Sequence, residues 1–365
     1  MENTTKRNVT LICMAVLAAF IIVLFSFAFL GVQDVAFAES IEVTAMTSSE
    51  GNMDTVNVDN ITYYMIKTGG NLKYALRDTS ENKSYLLMND FVISDRNWCT
   101  ENGSTRTVAN TIAGFYYNQA NGQANYEKRH RITFSPYSGS ETISDSDVVN
   151  CGLFAIFNGT LKYLELYYEG RIQVNASSAV STVSGANTVY VGAIAGVFNG
   201  TISNCTISVA GSVFAFSQSS NLIIYGGGIA GEFAGTILDS VVSISGSISV
   251  SNKNISDESS SDLTCIKNTL YAGGIGALAK RRNDSINNQI KNSTINVSGS
   301  VSTNDVTKIS IGEAVYPRDD PNPDGCVFPA GGLFATVAQA MVTDNEITIS
   351  GTISSNGSTR ASRLG

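Results

Sequence analysis

Apolar and polar positions in the second half of the chain recur in a fixed register. The clearest copy is Val191–Val213, VGAIAGVFNGTISNCTISVAGSV, which closes at Gly211; degenerate copies close at Gly170, Gly246, Gly299 and Gly351. Nine residues before these glycines stand Leu161, Ile202, Ile237, Ile290 and Val342, and four before them Leu166, Ile207, Val242, Ile295 and Ile347. Two before stand Tyr168, Val209, Ile244, Val297 and Ile349, and two after Ile172, Val213, Ile248, Val301 and Ile353. All are apolar, with Tyr168 the odd member. Fixed offsets of this kind mark an internal repeat.

The alternation within a copy sets the element type. In Cys205-Thr206-Ile207-Ser208-Val209, every second residue is apolar and the residues between are small and polar. Period two with β-branched residues predicts a strand. Each copy opens with a glycine-containing apolar strand, passes a Gly-Thr-Ile/Leu step (Gly159-Thr160-Leu161, Gly200-Thr201-Ile202, Gly235-Thr236-Ile237), turns a polar corner, and continues into two more strands. Three short strands per unit of about 22 residues predict one coil of a right-handed parallel β-helix, all-β, with about six to eight coils. Stacked coils lie about 4.8 Å apart, so like residues form columns. Each buried Ile or Val then contributes roughly 1.5–3 kcal/mol against chain entropy. Seven places before the closing glycines stand Asn204, Asp239, Asn292 and Asp344, with Tyr163 the exception, which predicts a polar corner ladder. A leucine-rich horseshoe and a propeller lack support in the spacing.

Ahead of the repeat, 39–60 reads as a polar leader with one strand. Leu72, Ala75 and Leu76 share a helical face after Gly69-Gly70, predicting a short capping helix near 70–78 that covers an open sheet end. A strand pair broken at Asn89-Asp90 is expected over 82–98, and irregular coils with a strand at 131–135 over 99–150. The predicted organisation is 1–38 signal peptide, 39–148 leader, cap and first coils, and 149–365 repeat coils truncated at the C-terminus. Closing glycines are 41, 35, 53 and 52 residues apart because insertions vary, chiefly 251–269, 280–285 and 302–327. A chain stopping soon after a coil predicts end-to-end self-association through that coil.

Composition adds the compartment. Lys6 and Arg7, the apolar run from Leu11 to Gly31, and Ala36-Phe37-Ala38 before Glu39 read as a secretory signal peptide cleaved after Ala38. Uncleaved, it would be the chain's one membrane contact. The expected location is therefore secreted or cell-surface. A net charge of −8 argues against a nucleic-acid partner. Cys99, Cys151, Cys205, Cys265 and Cys326 remain after cleavage, an odd number without C-x-x-C spacing; they read as buried thiols in preference to a disulfide framework, and not as a zinc site.

The repeats VGAIAGVFNGTISNCTISVAGSV and GGIAGEFAGTILDSVVSISGSI resemble the GLUG-type repeat of large bacterial surface proteins. The lead-in, with Tyr85-Leu86-Leu87, Asp90-Phe91-Val92-Ile93 and Trp98, is similar to that of pectin-lyase-like β-helices, although the D-G-x-G-H-x-I step of that family is not recognisable at 131–145. The resemblance spans roughly 60–365. It implies the fold and leaves activity open among polysaccharide lyases, adhesins and stalks.

Few residues suggest chemistry. His130 is the single histidine and reads as solvated, with no nucleophile context around it. The strongest candidate stretch is Arg318-Asp319-Asp320-Pro321-Asn322-Pro323-Asp324-Gly325, whose carboxylates suit Ca²⁺ or a sugar but sit in a proline-broken loop. Tyr316, Arg318, Asp319, Asp320 and Asp324 are therefore named as candidate ligand-binding residues, with no catalytic residue, metal or cofactor assigned. The expected function is a non-catalytic exported bacterial repeat module, acting in adhesion to a polysaccharide or a host or matrix surface, or as a spacer. The alternative is a polysaccharide lyase or glycoside hydrolase.

Overall fold

The alternating segments form strands that pair in parallel with their counterparts one repeat away. The computed structural model describes residues 40–43, 51–80, 82–95, 98, 106–136, 141–143, 148–176, 187–217, 222–252, 269–279, 288–305, 330–337 and 340–356. The described residues are all-β, with five long sheets of five to nine strands, parallel except for the antiparallel pair Thr55–Val58 and Ile61–Ile66, and one two-stranded hairpin, Phe115–Asn118 with Gln123–Arg129. In the central repeat the strands are Asn187–Gly192, Ala195–Phe198, Thr201–Ser203, Thr206–Val209 and Ser212–Ser217. Each belongs to a different sheet. Thr206–Val209 lies between Glu165–Tyr168 and Val241–Ile244, placing Ile207 beside Leu166 and Val242.

A repeat thus contains five strand segments, where the pattern predicted three. The opening apolar stretch is two strands separated by a bend at 193–194, next to which a Cβ on Gly192 would lie 2.4 Å from the Ala195 carbonyl oxygen. The Gly-Thr-Ile step is a strand of its own, Thr201–Ser203.

The predicted apolar columns are the core. Leu161, Ile202, Ile237 and Ile290 are buried, as are Leu166, Ile207, Val242 and Ile295. Phe157, Phe198 and Phe233 stack beside them, with centroids 5.5 Å apart at each step. In the last repeat the same columns are open: Val342, Ile347 and Ile349 are 41%, 37% and 45% exposed. The closing glycines form a column because no Cβ fits. At Gly211, Gly246, Gly299 and Gly351 it would come within 1.9–2.1 Å of the preceding glycine's carbonyl oxygen.

The polar corner differs from the predicted ladder. Tyr163, Asn204, Asp239, Asn292 and Asp344 have φ of +48° to +55°, a left-handed conformation that Asn and Asp tolerate best. They turn the chain and form no ladder among the described residues. The ladder runs one residue later. The Cys205 N–H donates to Ser240 Oγ (3.1 Å), the Ser240 N–H to Ser293 Oγ (3.2 Å), and the Ser293 N–H to Asn345 Oδ1 (2.9 Å). Tyr163 instead packs on Phe115 and Tyr126.

The N-terminal region shares this register. Ile41, Phe91 and Ile132 continue the column of Leu166 and Ile207. The expected helix spans Gly69–Ala75, opened by a capping box between Thr68 and Asn71. Leu72, Ala75 and Leu76 are fully buried. The leader contains two strands where one was expected, Ile41–Val43 and Thr55–Val58. Among the described residues, no helix is long and apolar enough to cross a membrane.

Candidate functional site

The fifth strand of each repeat alternates core-facing and outward side chains. Val213 and Ala215 face the core, which turns Ser212, Phe214 and Phe216 outward. The rings of Phe214 and Phe216 lie 6.3 Å apart with planes 13° from parallel. Arg171, one repeat below, holds its guanidinium 5.7 Å from the Phe214 ring centre. Above them the same columns carry Ser247 and Ser249, then Ser300 and Ser302. Ser300 Oγ donates to Ser247 Oγ (3.1 Å) and Ser302 Oγ to Ser249 Oγ (3.3 Å).

A shallow hollow of about 140 Å³ lies among Arg171, Ser212, Val213, Phe214, Ser247 and Ser249. That is well below the roughly 300 Å³ at which small-molecule pockets begin. The hollow suits one substituent of a larger ligand lying across the face. A guanidinium, an aromatic surface and a row of hydroxyls can offer charge-assisted hydrogen bonds, CH–π contact and neutral hydrogen bonds side by side.

A second outward column holds Tyr190, Tyr225 and Tyr271. Their rings stack with centroids 5.0 and 4.7 Å apart and planes 8° from parallel at both steps. Glu232, in the neighbouring strand Ala230–Phe233, is only 6% exposed and is hydrogen-bonded to Tyr190. Burial, followed by the Glu232 charge, pushes the Tyr190 hydroxyl up; burial and the Tyr271 and Glu232 neighbours push Tyr225 to about 12.

His130 departs from the sequence reading. It is 8% exposed rather than solvated, with Nδ1 3.2 Å from Asp90 Oδ1. Asp90 also accepts the Arg131 backbone N–H, and the Arg131 side chain makes a two-pronged contact with Glu165 Oε2. Asp90 lies forty residues earlier in the chain, so only the fold brings the partners together. This network ties together the starts of three neighbouring strands of one sheet, Phe91–Ile93, Arg131–Phe134 and Glu165–Tyr168.

The cysteines also divide. Cys205 is a buried free thiol, its pKa pushed up to about 11 by burial, which leaves it unreactive. Cys151, expected as a thiol, is disulfide-bonded. Its burial gave the thiol reading, but burial alone does not separate the two states. Cys99, Cys265 and Cys326 lie outside the described residues.

So do Tyr316, Arg318, Asp319, Asp320 and Asp324, the basic triplet Lys280-Arg281-Arg282, and the cleavage residues Ala36 and Ala38. Among the described residues no cluster of three or more His, Cys, Asp or Glu side chains could hold a metal ion. Sequence reasoning missed both outward columns. The signal for the tyrosines was present: Tyr190-Val191-Gly192, Tyr225-Gly226-Gly227 and Tyr271-Ala272-Gly273 place Tyr two before the bend glycine three times. No protein-family model, curated protein or solved structure matches the chain.

Proposed function

We propose that the chain is an exported, non-catalytic module of the bacterial surface, a right-handed parallel β-helix closed at its N-terminal end by the helix Gly69–Ala75. It binds an extended polysaccharide or matrix polymer across the outward face of the fifth-strand sheet. The observation that carries this reading is the side-by-side pair Phe214 and Phe216 with Arg171 over one ring, bordered by rows of serine hydroxyls. Solenoids present such extended surfaces to extended ligands. The GLUG-like repeat, the signal-like N-terminus and the Cys151 disulfide support export, since disulfides persist in oxidising compartments.

The test is retention of purified 39–365 on immobilised polysaccharides and matrix proteins, with and without Ca²⁺, reading released reducing or unsaturated ends in the same fractions. Retention without product supports the module. Product abolished by Asp320→Ala establishes the competing lyase or hydrolase reading, which rests on Asp319, Asp320 and Asp324. Neither retention nor product leaves a spacer.

A further inference from the structure

We propose that Tyr190, Tyr225 and Tyr271 form an oxidative modification site, at which a one-electron oxidant couples neighbouring tyrosines into a dityrosine bridge between adjacent repeats. This inference is independent of the polysaccharide reading. The parallel register places Tyr190 opposite Tyr225 and Tyr225 opposite Tyr271, on half-buried outward positions. Ring separations of 5.0 and 4.7 Å put a second phenol beside any radical formed on the first. Fixed proximity converts a bimolecular encounter into a unimolecular one, worth a large factor in effective concentration.

Glu232 supplies the second observation. It is outward in register, between Val197 and Leu278, yet 6% exposed and bonded to Tyr190. A phenol that loses an electron becomes strongly acidic, and this carboxylate is placed to take its proton. Burial raises the pKa of all three hydroxyls, so they stay protonated until oxidised.

The step balances. Each of two phenols gives up one electron to the oxidant and its hydroxyl proton to a base, Glu232 for Tyr190 and water for Tyr225. The two radicals form one carbon–carbon bond between ring positions ortho to oxygen. The hydrogens displaced there return through solvent to the oxygens and restore both hydroxyls. The pair loses two electrons and two protons overall. With persulfate as oxidant, one O–O bond breaks and two sulfates form.

The experiment exposes dilute 39–365 to a photo-excited ruthenium complex with persulfate. The expected result is violet dityrosine fluorescence in a monomer lighter by two hydrogens, with peptide mapping that joins Tyr225 to Tyr190 or Tyr271. Tyr225→Phe, which keeps the stack but lacks the phenol, abolishes that link. Glu232→Gln slows the Tyr190–Tyr225 link several-fold and spares Tyr225–Tyr271. Links only between molecules, or only at the tilted pair Tyr126 and Tyr163, would overturn the proposal. So would wild-type kinetics of hydrogen loss in Tyr225→Phe.

Discussion

A Cβ on Gly246 would sit 1.9 Å from the carbonyl oxygen of Gly211. The obstacle is backbone of a short turn fixed between two paired strands, so it cannot swing away as a side chain would. Gly246→Ala is expected to destabilise the chain by about 2–3 kcal/mol, at the upper end of overpacking costs. Ser245→Ala, at the exposed corner next door, should stay within about 0.5 kcal/mol. Denaturant midpoints of the two variants compare these directly; equal midpoints would refute the stacked-glycine account.

The inner ladder makes a different demand. Ser240 Oγ accepts the Cys205 N–H and donates to the Leu238 carbonyl at 2.6 Å. Ser240→Ala leaves the Cys205 N–H buried without that partner, while the Leu238 carbonyl keeps the Asn204 N–H, for a loss of about 1–3 kcal/mol. Ser240→Cys should recover part of it, since Cys205 makes the same contact to the Ser203 carbonyl at 3.3 Å. Thermal melts of the three proteins should rank wild type, Cys, Ala.

Acid should act through Asp78. Burial raises its pKa, but hydrogen bonds from the Ser80 hydroxyl, Tyr85, the Ser80 N–H and Lys83 outweigh that and bring it to about 2, from an ordinary 3.8. A carboxyl lowered by folding adds stability that is complete above the unfolded value and is lost as pH falls towards the folded one. The contribution should therefore fade between about pH 4 and pH 2. Asp78→Asn should be less stable than wild type at pH 7, with the gap closing over that window; a gap constant down to pH 2 would contradict the assignment.

The exposed side chains of Ile347 and Ile349 predict association. Ile347 and Ile349 occupy positions that are buried at Ile295 and Val297 one repeat earlier. The isolated segment 39–365 is expected to associate reversibly through these two exposed side chains. Ile347→Lys with Ile349→Lys should return it to monomer in sedimentation equilibrium, and a wild-type monomer at high concentration would dismiss the idea.

Legibility from sequence followed the repeat. Columns occupied by the same kind of residue every time, such as Ile202, Ile237 and Ile290 or the closing glycines, were readable because identical packing demands recur. The corner was read one residue early: Asn204 and Asp239 looked like ladder members, but they sit at positive φ, while the ladder uses Ser240 and Ser293. The burial of His130 was invisible because its partner Asp90 comes from a neighbouring strand forty residues away. Phe214 and Phe216 were hidden for the opposite reason. They break the outward column that reads Ser249 and Ser302 further along, and a search for recurrence passes over a residue that occurs once.

The proposed ligand face is this irregular stretch around Phe214 and Phe216. The most direct measurement is the affinity of 39–365 for whichever polysaccharide retains it, beside Phe214→Ser/Phe216→Ser and Arg171→Gln, with circular dichroism as the check on folding. The account predicts a loss of about tenfold or more for the double variant, since a lost aromatic contact of about 1.5 kcal/mol corresponds to that ratio. It also predicts a smaller loss for Arg171→Gln on uncharged polymers than on acidic ones. Unchanged affinity in folded variants would contradict the account and move the site elsewhere on the chain.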